Sequence, residues 1–160
     1  ILDWWRSARS DVVAAMRAAP PGARAYWGVG EMSMASLATA RLMECWAHGL
    51  DCYAAVGVTP VDTDRMRHVC YLGYKTLPFA FGSAGVEPPA PIQQLRLELH
   101  APDGATWRYG PDDAPQVVRG AAGDWARLSV HRITLDQAGS LQADGPLAEA
   151  ALRHVKAYLL

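Results

Sequence analysis

The sequence predicts an α+β protein, with a helical bundle over residues 1–84 and a small α+β domain over residues 85–160. Two observations predict the helices. Apolar residues recur at helical spacing over residues 1–18, and a long, almost wholly apolar stretch runs from Ser33 to Val56 before Gly57. A third predicts the change of class. Leu95, Leu97 and Leu99 alternate with Arg96, Glu98 and His100, the period-two pattern of a strand with one buried face. Between the two regions, residues 82–91 hold three prolines and three glycines or serines, a boundary signal.

Element by element, residues 1–18 read as an amphipathic helix with Leu2, Trp5, Val12, Val13 and Met16 inward, ended by Pro20, Pro21 and Gly22. Tyr26, Trp27, Gly28 and Gly30 form a loop, and two aromatics between glycines suit a pocket wall. Ser33 is the N-cap of the long helix. Asp62 or Thr63 caps a further helix through Tyr71 and Tyr74, kinked or ended by Pro78. After the first strand, Asp103-Gly104 makes a tight hairpin turn and residues 105–109 return as a second strand, with Trp107 and Tyr109 in the sheet core. Val117 and Val118 give a third strand, residues 121–132 a helix and residues 140–143 a weak strand. Pro146 opens a last helix running to about Leu159.

Composition narrows the function. Half the chain is apolar, with six Trp and six Tyr, enough for a real core. A formal net charge of -1 without a Lys/Arg cluster argues against nucleic-acid binding. Nothing resembles an apolar run long enough to span a bilayer. Asp3, Arg6, Arg9 and Asp11 exclude a secretion signal at the start, and the chain opens at Ile1 without a methionine, as a processed chain or part of a longer one would. Cys45, Cys52 and Cys70 are an odd count without Cys-x-x-Cys, and Cys45 and Cys52 lie roughly 10 Å apart along one helix. Buried free thiols in a reducing cytoplasm are the expectation.

The chemistry concentrates in Glu44, His48 and Asp51. Residues four and seven apart share a helix face, so these three make one polar row. Leu42, Trp46 and Tyr53 lie opposite, with Met43 and Leu50 on one flank and Cys45 and Cys52 on the other. A helix apolar nearly all round is expected to be buried, which makes the row a polar island in a core. A carboxylate and an imidazole at i, i+4 can hold one metal ion between them. The plain alternative pairs Glu44 with Arg41 and His48 and leaves Asp51 solvated. A third ligand would come from His68, His100, His131 or Asp51, or from residues before Ile1. Ser129, His131 and Asp136 are the types of a hydrolase triad, but no Gly-x-Ser-x-Gly elbow surrounds the serine. His100 and His154 are expected in solvent.

The run from Met32 through Arg41-Leu42-Met43-Glu44-Cys45-Trp46-Ala47-His48-Gly49-Leu50-Asp51 resembles actinobacterial members of the DinB-like, mycothiol-dependent maleylpyruvate isomerase superfamily. The runs Asp64-Arg65-Met66-Arg67-His68-Val69 and Ala101-Pro102-Asp103-Gly104-Ala105-Thr106-Trp107 are similar to the same family. The resemblance implies a DinB-like four-helix bundle with one divalent metal, zinc or nickel, then a small domain like sterol carrier proteins. It implies mycothiol as a thiol cofactor, and a thiol transferase or isomerase activity on a small electrophile. Glu44 and His48 match the family's second and third metal ligands, and the first, a histidine, would lie upstream of Ile1. Asp51 would orient His48 or act as general base, and Arg41 would fix Glu44 or bind an anionic group. Tyr26, Trp27, His68 and Tyr71 would line the substrate pocket.

Two departures bear on substrate and thiol: Gly28-Val29-Gly30-Glu31-Met32 replaces the usual Gly-Pro-Pro-Met, and Tyr71 stands where a His is common. One alternative is a thiol-independent, metal-dependent isomerase, cyclase or hydrolase acting on a secondary metabolite, the ion serving as Lewis acid or activating water; the other is a non-catalytic binding protein that has lost its metal. If the first bundle helix is missing, an exposed apolar face would need cover, for which a second copy of the chain is one source.

Overall fold

The computed structural model describes residues 1–27 and 30–158; Gly28, Val29 and Leu159, on which parts of the sequence reading fall, lie outside the described residues. The chain is mixed α+β and forms two compact units, Ile1–Arg41 and Leu42–Leu160.

The first unit holds α1 (Leu2–Ala18), the strands β1 (Arg24–Trp27) and β2 (Gly30–Ser33), and the start of α2 (Met34–Ala55). The strands pair antiparallel, with Ala25 opposite Met32 and Tyr26 opposite Glu31. A hairpin therefore replaces the expected loop. Four residues with no clean alternation are too short for a strand to be legible. Ser33 caps α2 as expected: its Oγ accepts the Ser36 N–H at 3.1 Å. The inward stripe of α1 is corrected. The helix has no buried residue, and Leu2, Trp5, Val12 and Val13 are all exposed. Within its own unit α1 has only a two-stranded hairpin and a helix start beside it, too little surface to cover an apolar stripe.

The second unit is built on a four-stranded sheet ordered β4-β3-β5-β6, where β3 is Leu95–His100, β4 Thr106–Tyr109, β5 Gln116–Ala121 and β6 Gln142–Asp144. β3 pairs antiparallel with β4 and parallel with β5, and β5 antiparallel with β6. The leucine alternation does what it predicts: Leu95, Leu97 and Leu99 are fully buried. They join Trp107 and Val118 in one core with Trp125 of α5 (Ala122–Ser129) and Leu147, Ala148 and Ala151 of α6 (Pro146–His154).

Two short helices close the other side of this core, α3 (Met66–Lys75) and α4 (Leu77–Ala84). They pack on α5 and α6. The six α-helices of the described residues therefore do not make a clear four-helix bundle. The reason is local: α3 and α4 are ten and eight residues long, and their apolar faces (Met66, Val69, Cys70; Leu77, Ala80, Phe81) are spent on the α+β core. Pro78 opens α4 within its first turn instead of kinking a longer helix. Asp62 caps nothing; α3 begins at Met66, and the Asp62 carboxylate binds Arg127. The last helix ends at His154, whose ring packs on Phe81 at 5.5 Å and is half-buried, not solvated. Only Cys70 is a buried thiol; Cys45 and Cys52 are exposed.

Contact between α3 and α5 is close enough to specify glycine. A Cβ on Gly73 would stand 2.9 Å from Ser129 Cβ and 3.2 Å from Trp125 Nε1. Gly73→Ala is expected to cost about 1–3 kcal/mol in denaturant unfolding. Gly82→Ala, at an exposed helical position with open space around it, is expected to be neutral or stabilising by up to about 1 kcal/mol. Equal effects of the two would refute the packing account.

On the outer face of the sheet, Glu98 is ringed by arginines: Arg119 Nε at 2.8 Å, Arg96 at 3.2 Å and Arg108 at 3.8 Å. The Arg119 hydrogen bond, helped by the charges of Arg96, Arg119 and Arg108, holds the Glu98 carboxyl below the usual carboxylate range. With the folded value below the unfolded one, the cluster stabilises fully above about pH 4.3 and loses this contribution as pH falls through the lowered value. Glu98→Gln should flatten the acid limb of the stability curve, so that variant and wild type converge at low pH. A stability gap that stays constant across the acid range would contradict this.

Candidate functional site

From Leu42 onward, α2 buries one narrow face, Met43 and Ala47. The polar row rises on another. Glu44 Oε2 stands 3.3 Å from His48 Nε2, and Asp51 Oδ2 stands 3.3 Å from His48 Nδ1. The helical spacing thus brings the three side chains together as the sequence implies. Their setting differs from the expectation. The side chains of Glu44, His48 and Asp51 are 30%, 68% and 48% exposed, so the row lies at the surface and is not an island in a core. Tyr53, Cys45 and Cys52, expected to be packed, are exposed as well. The physical reason is that the second unit presents its core to one face of α2 only, whereas an all-round apolar helix needs neighbours on every side.

The two edges of the imidazole have different partners, and this limits what the row can hold. Donors bound to one tetrahedral ion at about 2.0–2.1 Å sit about 3.3 Å apart, so Glu44 and His48 Nε2 are spaced as two ligands of one metal would be. Asp51 faces Nδ1 on the opposite edge of the ring and cannot share that ion. In the tautomer with Nδ1 protonated, Asp51 accepts that N–H and the Nε2 lone pair lies on the Glu44 side. Among the described residues no group of three or more His, Cys, Asp and Glu side chains is arranged to hold a metal. Glu44 and His48 therefore fit a divalent ion as part of a ligand set.

Asp51 is itself held from elsewhere in the chain. Arg132 Nε donates to Oδ1 at 2.6 Å and Nη2 to Oδ2 at 2.8 Å, a bidentate fork reaching back 81 residues. Chiefly through this hydrogen bond, Asp51 is held below the usual carboxylate range, with His48 adding to the effect; Arg132 is correspondingly pushed up. Beyond the pair opens a cleft of about 330 Å³, walled by Leu50, Ala54, Val58, Pro60 and Ile133, with Arg127 and Arg132 at its polar end. Arg127 is likewise neutralised, by Asp62 at 2.5 and 2.9 Å. Sequence reasoning missed Arg132, the Asp62–Arg127 pair and the cleft. No local pattern marks a contact between residues so far apart.

The other candidates are dispersed. Arg41, in the first unit, lies over the Trp27 ring at 5.2 Å. Trp27 is half-buried, and Tyr26 is exposed on β1. On α3, His68 is exposed and Tyr71 tilts against Tyr109 at 6.2 Å. His100 is exposed, as expected. His131 is engaged by the Val155 carbonyl at 3.2 Å and the Tyr158 hydroxyl at 2.9 Å. The hydroxyl of fully buried Ser129 donates to the Ala126 carbonyl at 2.8 Å, so no triad forms around it.

No helix of the described residues is long and apolar enough to cross a membrane. Two uncharacterized proteins of Mycobacterium tuberculosis, from strains CDC 1551 / Oshkosh and H37Rv, are each 42% identical to the chain over 135 residues, 84% of its length. That match covers 52% of each relative, so the chain spans about half the length of the curated relatives it matches. No solved structure matches the chain significantly. Residues 1–53 match the mycothiol maleylpyruvate isomerase N-terminal domain, a span that includes the whole Glu44–His48–Asp51 row. Over this segment, about a third of the chain, the protein is similar to the mycothiol maleylpyruvate isomerase family.

Proposed function

We propose that the chain is part of a metal-dependent enzyme of the mycothiol-dependent S-transferase or maleylpyruvate isomerase type, acting on a small electrophilic metabolite. One observation carries this reading: Glu44 Oε2 and His48 Nε2 converge at 3.3 Å within the segment that matches the family's N-terminal domain. These two residues would hold a divalent ion, zinc or nickel, with a further ligand from outside the described residues. What a bound ion supplies there is a lowered pKa for a thiol or water, and so a nucleophile at neutral pH.

The residues of the chain do the rest. Asp51 takes the Nδ1–H of His48 and sets the tautomer that presents Nε2 to Glu44. Its lowered pKa and its bond to Arg132 make it a poor general base, which favours orientation over proton transfer. The cleft shares Asp51 with the row and would take the apolar body of the reactant against Leu50, Ala54, Val58, Pro60 and Ile133. Arg41, Tyr26, Trp27, His68 and Tyr71 remain candidates for contacts with mycothiol or substrate. The same reading takes residues 1–84 as the DinB-like part, residues 85–160 as the part like sterol carrier proteins, and the free cysteines as suited to a reducing cytoplasm.

A second reading is favoured by a specific observation. His48 already has a carboxylate at each nitrogen, so the row is self-satisfied as a Glu–His–Asp chain, as in a binding protein that has lost its metal. Metal analysis of the full-length protein, purified without chelator, separates the two. The metal reading expects about one equivalent of zinc or nickel, lost in Glu44→Ala and in His48→Ala, and a thiol-dependent conjugation of electrophiles lost with it. Protein that binds neither ion after reconstitution leaves the non-catalytic reading standing.

A further inference from the structure

The loop after α5 is built to aim one side chain at the row on α2. α5 ends in a Schellman motif: the Arg132 N–H bonds the Arg127 carbonyl at 2.9 Å and the His131 N–H the Leu128 carbonyl at 3.0 Å. The left-handed position of that motif usually takes glycine. Here it is His131 at φ 54, the only non-glycine residue at positive φ among the described residues. A left-handed residue with a Cβ is strained, because the Cβ crowds the following carbonyl oxygen. The His131 ring is secured by the Val155 carbonyl and the Tyr158 hydroxyl, which offsets that strain. The next residue, Arg132, is then fixed at both ends of its guanidinium. Nη1 donates to the Val130 carbonyl at 2.8 Å, while Nε and Nη2 grip the two oxygens of Asp51. A fork on both oxygens opposes rotation of the carboxylate and favours the orientation in which Oδ2 faces His48 Nδ1.

We propose that Arg132 is a positioning residue of the site: through Asp51 it fixes the ring of His48, and so directs Nε2 toward the position shared with Glu44. The end of α5 is thereby a working part of a site whose two described ligands, Glu44 and His48, lie on α2. This inference rests on the reading of Glu44 and His48 as metal ligands. The chain Arg132–Asp51–His48–Glu44 makes each member act through the next, which distinguishes it from a general contribution of Arg132 to folding.

The test is zinc affinity of full-length, chelator-treated protein, measured by competition with a chromophoric chelator, with thermal unfolding of each metal-free variant alongside. Arg132→Gln is expected to weaken zinc binding about 10–100-fold, the usual effect of losing an outer-shell partner. Asp51→Asn should weaken it similarly, and the double variant no further than Asp51→Asn alone, because both act along one path. Arg132→Lys, with charge but no fork, should fall between wild type and Arg132→Gln. Glu98→Gln, which breaks the arginine cluster on the outer face of the sheet and touches neither the row nor α5, should lower the melting temperature at neutral pH and leave zinc affinity unchanged. Unchanged affinity in both Arg132 variants overturns the inference, as does an Arg132→Gln effect that adds in full to that of Asp51→Asn, or an equal loss in Glu98→Gln. Wild-type protein that binds no zinc overturns the metal reading itself, and the inference with it.

Discussion

The contact of α5 with α3 is the interaction on which the second unit depends. Trp125 is completely buried there, and its indole N–H is satisfied by the Cys70 carbonyl at 3.1 Å. Beside it, Gly73 lets the α3 backbone approach Ser129. A large aromatic is worth burying only if its N–H finds an acceptor, and the carbonyl of an adjacent helix supplies one. Around this contact the helices of residues 66–84 are drawn onto the sheet and become part of the same core. The C-terminal end of α5, and with it the direction of Arg132, follows from the same packing. The Ala157 N–H closes the corner by bonding the Ser129 carbonyl at 2.7 Å, and Thr76 Oγ1 donates to the Lys156 carbonyl at 2.6 Å.

Much of this was legible from local chemistry. Ser33 caps α2 because a short hydroxyl can meet a free helical N–H three residues on, and Asp103-Gly104 turns the chain with Gly104 at φ 88. The leucine alternation of β3 located the sheet and its buried face. What was not legible depended on partners distant in the chain. Asp62 reads as a cap from its neighbours, yet a guanidinium 65 residues away claims its carboxylate. Apolar periodicity gave the existence of α1 but not its burial, because periodicity reports a face and says nothing of what covers it. The all-round apolar character of α2 misled in the same way about Cys45, Cys52 and Tyr53.

The functional row divides in the same manner. Its three members could be read from spacing alone, because the helix itself brings i, i+4 and i+7 together. Their roles could not. Spacing makes Asp51 equally a ligand, a base or a solvated carboxylate, and the fork from Arg132 shows that it is not simply solvated. A carboxylate so paired is acidic and fixed, properties that suit an acceptor for an imidazole N–H and not a proton carrier.

The exposure of the row is itself an argument about purpose. Ion pairs among solvent-exposed side chains contribute little to stability, since water and salt screen them and long side chains lose freedom on pairing. Yet on this surface one imidazole is flanked by carboxylates at both nitrogens, one of them held by an arginine whose own backbone is set by a left-handed histidine. The arrangement spends conformational freedom and some backbone strain, and gains mainly direction: an imidazole held between two carboxylates, with Nε2 beside Glu44. Order that stability does not require is what a coordination site needs before its ion arrives, because a ligand already oriented loses less entropy on binding.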